Sequence, residues 1–394
     1  VTNSEFRNNS TTDRGGAIAT FGFVAVHSSE FTGNSSIADE NCIGGGGAIA
    51  AGDDVFVDDG STFTDNSAIL GEATDVGHCD DPGVYGGRGG AILTAEFELI
   101  YDASFVNNSA KYGGGAIYAL ALGEVITEDP YGVIDGSRFT DNTVIANGYF
   151  ESIDGGNAVF QLNDDLHISN SSFSSNSGQG SAVMVTGDVV GDFGGEVVVT
   201  DSDFTMNTGI YGGAISAVGI VVAGSTFSRN EAIEGGALIA QYFEISSSRF
   251  TGNSAAVGGA VFYCGPSSIS DSVFTRNSAN KVDGTFMPPP VTGYGGAVAG
   301  YNGTLTLMSN WFTANRAAEG GGAVWFWGEA PASLTAMIKN RFTGNRAGRA
   351  GGAVGYVLNN TPNVPSRSDL RAAQRQNRFS GNHGGRGGNF GGIV

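Results

Sequence analysis

Residues 250–261 read Phe250-Thr251-Gly252-Asn253-Ser254-Ala255-Ala256-Val257-Gly258-Gly259-Ala260-Val261, and this stretch decides the fold because it keeps returning. Phe followed three residues later by Asn occurs thirteen times, at Phe6, Phe31, Phe63, Phe105, Phe139, Phe173, Phe204, Phe227, Phe250, Phe274, Phe312, Phe342 and Phe379. Between the copies lies Gly-Gly-Ala followed by Ile, Val or Leu, starting at Gly15, Gly46, Gly89, Gly114, Gly212, Gly235, Gly258, Gly295, Gly321 and Gly351. Weaker versions begin at Gly155, Gly180 and Gly387. The two signatures alternate from end to end. Such a period marks a repeat architecture, in which each unit buries its apolar face only by stacking on the next.

The shortest period is 23 residues, from Phe204 to Phe227 and again to Phe250. A leucine-rich repeat of that length needs a Leu ladder and a helical segment, and no run here has helical spacing. Apolar residues instead alternate in short bursts, as at Val24/Val26, Leu166/Ile168, Val197/Val199 and Leu305/Leu307. That is the period of a strand. Three residues later comes a small polar residue, then Phe two further on: Ser171/Phe173, Ser202/Phe204, Asn310/Phe312. The step of three marks a corner. One coil therefore reads strand, corner, strand, Asn turn, Gly-Gly corner, strand. The expected fold is all-β: one single-stranded parallel β-helix domain over residues 1–394, of about 12–13 coils with three short strands each, rising about 4.8 Å per coil to about 60 Å.

Stacking explains the residue types. Phe over Phe builds an aromatic column. The residue two before Phe is Ser in nine coils, Asn at Asn310, Asn340 and Asn377, and Ala at Ala103, an inward polar ladder. The Asn of the motif is expected to carry positive φ and cap its turn. Gly-Gly supplies a corner where a Cβ would strike the next coil.

Composition agrees. Gly accounts for 65 residues and Pro for 9, which excludes collagen, while 25 Phe and 40% hydrophobic residues exclude a disordered linker. The formal charge of −20 disfavours nucleic acid and anionic membranes as partners. It suits loose Ca²⁺, and no other cofactor is expected. No stretch is long and apolar enough to span a bilayer. The chain starts at Val1 and stops at Val394 inside repeats, so it reads as a processed or truncated part of a larger chain whose end strands offer unpaired edges.

Insertions are expected near 36–44, 68–88, 119–131, 143–154, 186–195, 280–294, 328–333 and 357–371. Cys42 and Cys79 fall in equivalent insertions of adjacent coils, so a disulfide between them and two separate thiols are both open. Cys264 has no visible mate and reads as a buried small hydrophobe. The Gly-Gly-Ala strand is apolar at successive positions, which leaves Tyr118, Phe160, Ile239, Phe262 and Trp325 on its second face. Such a face is covered by the chain's own insertions or forms an association stripe.

Chemistry is sparse. Glycoside cleavage needs two opposed carboxylates. The paired acids (Asp53/Asp54, Asp58/Asp59, Asp80/Asp81, Asp164/Asp165, Asp201/Asp203) sit in loops or at strand ends. Asp201 and Asp203 should both face outward beside inward Ser202. His27, His78, His167 and His383 lie on different coils without metal-site spacing. No phosphate loop or nucleophile elbow is present. Sequons at Asn8, Asn9, Asn34, Asn107, Asn170, Asn302 and Asn359 are candidate glycosylation sites, with Asn302 and Asn359 expected to carry sugar in a eukaryotic producer.

The paired signatures closely resemble the repeats of the polymorphic outer membrane proteins of chlamydiae; Phe250-Thr-Gly-Asn253 through Gly258-Gly-Ala-Val261 is a representative match. The resemblance implies right-handed β-helices that act as surface-exposed adhesins, and similar repeats occur in large surface proteins of other microbes. No C-terminal membrane barrel follows in this chain. The expectation is a non-enzymatic extracellular or cell-surface structural and adhesive protein, in its specific form a subunit of a surface filament. Its expected partners are copies of itself, other surface proteins or glycans. The alternative is a polysaccharide-active lyase or hydrolase with a site on an outward β face.

Overall fold

A computed structural model describes residues 1–39, 44–70, 86–120, 131–145, 155–162, 165–186, 195–280, 292–301, 303–327, 333–334, 336–357 and 365–393. The described chain is nearly all β, in long parallel sheets, a parallel β-helix solenoid. It falls into two compact units, residues 1–203 with 207–209, and 204–206 with 210–394.

In the first unit the Phe strands Glu5–Arg7, Glu30–Thr32, Thr62–Thr64, Ser104–Val106, Arg138–Thr140 and Ser172–Ser174 pair in parallel with Phe opposite Phe. Their ring centroids stand 4.7–4.8 Å apart with planes within 7°. Ring spacing thus equals strand spacing, because backbone hydrogen bonds set both. In the second unit Phe204, Phe227, Phe250, Phe274, Phe312, Phe342 and Phe379 form a like column at 4.7–5.0 Å. Burying each ring contributes roughly 1.5–3 kcal/mol.

The Asn of each motif builds a second column. Asn34 Nδ2 donates to Asn66 Oδ1 at 3.0 Å and to the carbonyl of Phe6 at 3.0 Å, while its backbone N–H donates to the same Oδ1 at 3.0 Å. Asn66, Asn108 and Asn142 repeat the pattern upward. In the second unit Asn253, Asn277, Asn315 and Asn345 do the same. Every amide atom in these steps has its partners, which buried amides require.

The polar ladder two residues before Phe works through the backbone. The N–H of Ser137 donates to Ser171 Oγ at 3.0 Å, and Ser137 Oγ donates to its own corner carbonyl, Asp135 O, at 3.0 Å. In the last three coils of the second unit Asn replaces Ser: Asn310 donates its N–H to Asn340 Oδ1 at 2.9 Å, and Asn340 to Asn377 Oδ1 at 2.8 Å.

Several expectations change. The positive φ lies one residue before the motif Asn, not on it: Asp65 (56°), Asn107 (54°), Arg229 (55°) and Ala314 (56°) are left-handed. The Asn is extended inward, where its amide must reach the next coil. The segment after the Asn is a further short strand rather than only a turn, as at Ser35–Ala38, Ser67–Leu70, Thr143–Val144 and Ser278–Ala279, so it takes up margins of the expected insertions. The Gly-Gly-Ala strand and the next alternating strand share one sheet, and in Ile215–Ala223 and Leu238–Ser246 they run on without a break. Gly258 is left-handed (φ 61°) and Gly259 lies against the backbone of Gly296, so the two glycines have separate reasons. The weak copy at residue 155 is shifted by one: Gly156 takes the left-handed position and buried Asn157 replaces the second Gly. A helix also forms at Arg367–Gln376, inside and beyond the expected 357–371 insertion, started by a capping box of Ser366 with Asp369. The chain is therefore helical at that place, contrary to the expectation that no run has helical spacing.

Candidate functional surface on the phenylalanine strands

Every motif Phe points inward, so the residues on either side of it point out. The left-handed residue before Asn adds a third outward column. In the first unit these columns carry Glu5, Glu30, Asp65 and Asp141 against Arg7 and Arg138. Arg7 pairs with Glu5 and Glu30. In the second unit they carry Arg229, Arg249, Arg276, Arg341 and Arg378, all exposed, and the acid nearest to them is Asp203, which precedes Phe204 on its strand. Hydroxyls fill much of the rest, as in Thr140–Ser174 at 3.0 Å and Thr205–Ser228 at 3.0 Å. Trp311 is 52% exposed, and the Arg341 guanidinium lies 5.2 Å from its ring centroid.

The division is wider than this face. Residues of the first unit include 31 acidic and 5 basic side chains, net −26, and those of the second 8 and 14, net +6. The total of −20 conceals it. A running charge count along the sequence would have found the signal.

Cys42, Cys79, Asp80, Asp81, Asp164, His78, Asn302 and Asn359 lie outside the described residues. Cys264 is exposed rather than buried, because it follows the strand Val261–Tyr263 at its open end. Burial and the nearby Glu234 carboxylate still push its thiol up. Asp201 and Asp203 are both exposed beside buried Ser202, as expected. Asn34 is buried with its amide fully engaged, which closes that sequon in the folded chain. Asn8, Asn9, Asn107 and Asn170 are exposed, though Asn9 donates to Asn34 at 2.8 Å, Asn107 to Asp65 at 2.5 Å and Asn170 to Asp135 at 2.8 Å. Those bonds from Asn170 and from Ser169 hold the Asp135 carboxyl below the usual carboxylate range.

The expected association stripe is not a continuous surface. Tyr118 (1% exposed) and Phe160 (0%) pack with Leu93 and Leu120, and Trp325 (0%) packs with Val257, Tyr294 and Ala299. Ile239 and Phe262 are half-buried. The stripe reads as a second set of apolar clusters within each unit. Arg88 is also wholly buried, between the rings of Tyr112 and Tyr118 at 5.3 and 5.6 Å.

One cluster was missed because its members are 31 residues apart. His27 and Asp58 are register partners on consecutive coils, His27 Nδ1 lies 2.5 Å from Asp58 Oδ1, and Asp59 adjoins them. Among the described residues no helix is long and apolar enough to cross a membrane.

Comparison with known families supports the resemblance: residues 3–20 and 102–120 match the Chlamydia polymorphic membrane protein repeat. Both matched segments run from the ladder position, Ser4 and Ala103, through the Phe and Asn of the motif to the Gly-Gly-Ala strand. No curated protein and no solved structure matches the chain.

Proposed function

We propose that the protein is a non-enzymatic extracellular scaffold of the cell surface, structural and adhesive in role, and a subunit of a surface filament. The repeat it shares with the Chlamydia polymorphic membrane proteins supports a surface setting. The observation that carries the reading is the use made of the repeated polar groups. The motif Asn and Ser side chains are consumed in hydrogen bonds from coil to coil, so among the described residues the regular positions serve to hold the ladder together. The inward Phe and motif Asn stay constant while the outward columns change from coil to coil, where binding surfaces are expected on a rigid support. Immunogold electron microscopy of producing cells tests this directly. Label along surface fibres, with no release of reducing sugar from a panel of polysaccharides, is the expected result; label confined to the cell interior, or polysaccharide cleavage, overturns it.

A further inference from the structure

The outward side of the Phe strands has the same geometry in both units and opposite charge. On the strands of the first unit's Phe column four carboxylates outweigh two arginines, net −2; on those of the second, five exposed arginines outweigh one acid, Asp203, net +4. Register makes each face an ordered array, since Trp311, Arg341 and Arg378 are consecutive strand partners, and Glu5 and Glu30 are likewise. Among the described residues no carboxylate pairs with Arg229, Arg249, Arg276, Arg341 or Arg378.

We infer that this face is a docking surface whose occupant is a second copy of the chain, the acidic face of one molecule lying on the arginine face of the next. The inference rests on the reading of the protein as a self-assembling scaffold and names the contact. Charge complementarity favours a second copy, because the matching array of opposite sign is on the same chain. Thr and Ser columns leave both faces low, so two sheets can approach, and exposed Trp311 supplies an anchor of the kind that centres interfaces. The faces are narrow, so the contact is reversible and salt-sensitive rather than obligate. Each molecule offers both faces, which makes the association head-to-tail and open-ended unless it closes.

The test uses two full-length variants. One carries Asp65→Arg and Asp141→Arg, giving the acidic face the residue that Arg229 and Arg276 already place in that column. The other carries Arg249→Glu, Arg341→Glu and Arg378→Glu, introducing the residue found at Glu5 and Glu30. Sedimentation velocity of the wild type should show concentration-dependent association at about 0.15 M salt that disappears at about 1 M, where the screening length falls from about 8 to about 3 Å. Each variant alone should associate at least about tenfold more weakly, and an equimolar mixture should regain it, since the arginine face of the first meets the acidic face of the second. Unchanged circular dichroism confirms that each variant folds; if one does not, the same logic is run with Asp65→Asn/Asp141→Asn or with Arg→Gln at the three arginines. A wild type that stays monomeric, association that persists in both variants, or a mixture that fails to recover overturns the inference. So does retention of wild type, but not the arginine variant, on immobilised anionic polysaccharide without self-association, which assigns the face to a polyanion. Surface labelling of cells is independent of all these outcomes and fails only with the functional reading itself.

Discussion

Asn253 donates its Nδ2 to Asn277 Oδ1 at 3.0 Å, and the same oxygen accepts the backbone N–H of Asn253 at 3.0 Å. Asn253 Nδ2 donates a second bond to the carbonyl of Phe227 at 3.0 Å. One side chain therefore ties three consecutive coils, and it does so where the chain turns away from the Phe column. Aromatic stacking and amide pairing are neighbouring consequences of one register.

Asn277→Ala should open that step. It removes the acceptor of two buried donors, and each unsatisfied group costs about 1–3 kcal/mol. A solenoid need not unfold in one transition, so a local probe is required. Hydrogen exchange should show lost protection at the amide of Asn253, with coils several steps away little changed. Full protection at Asn253 would count against the ladder.

Ala314→Gly should stabilise the second unit. Ala314 is left-handed at φ 56°, a conformation that costs a non-Gly residue roughly 1–2 kcal/mol and Gly almost none. The coils at Gly252, Gly344 and Gly381 already make that choice. The thermal midpoint should rise with Gly and fall with Val; a fall with Gly would contradict the assignment.

Ser272→Ala tests the other ladder. Ser272 Oγ accepts the N–H of Ser248 at 3.0 Å and donates to Ser270 O at 2.7 Å. Removing it leaves a buried N–H without its acceptor, at about 1–3 kcal/mol. The denaturation midpoint should drop, and Ser272→Asn should restore part of the loss, because Asn310 fills the same position one coil on.

Asp135 gives a pH dependence. Asn170, then Ser169, lower its carboxyl below the usual range, so the folded form binds its proton less readily than the unfolded chain. Its contribution is present above the ordinary carboxylate pKa of about 3.9 and is lost as pH falls through the depressed value. Asp135→Asn should therefore lose less stability than wild type between pH 6 and acid, as read by thermal midpoints; equal losses would show that the pairing is not formed.

The coil was legible in the sequence because inward residues repeat: Phe, the motif Asn and Gly-Gly sit where the structure puts them. Which residue bends was not legible, since side-chain identity before the Asn varies from Gly252 to Arg276 while the backbone requirement stays fixed. The second apolar face suggested a partner, yet Tyr118 and Trp325 are covered within their own units, and covering depends on contacts between distant positions. The helix at Arg367–Gln376 carried its own start signal in Ser366 and Asp369, which the dominant repeat concealed. His27 with Asp58 becomes a pair only once the register is known. The charge division was present in the sequence all along and was hidden by summing it.

Nitroxide distance measurements within the second unit test the register most directly. With Cys42, Cys79 and Cys264 replaced by Ser, spin labels at Thr251 are paired in turn with labels at Thr275, Thr313 and Thr343, which are successive strand partners. The separation should grow by about 4.8 Å at each step, in that order. Distances that do not increase with coil number, or that follow separation along the sequence instead, would contradict the stack of like residues on like.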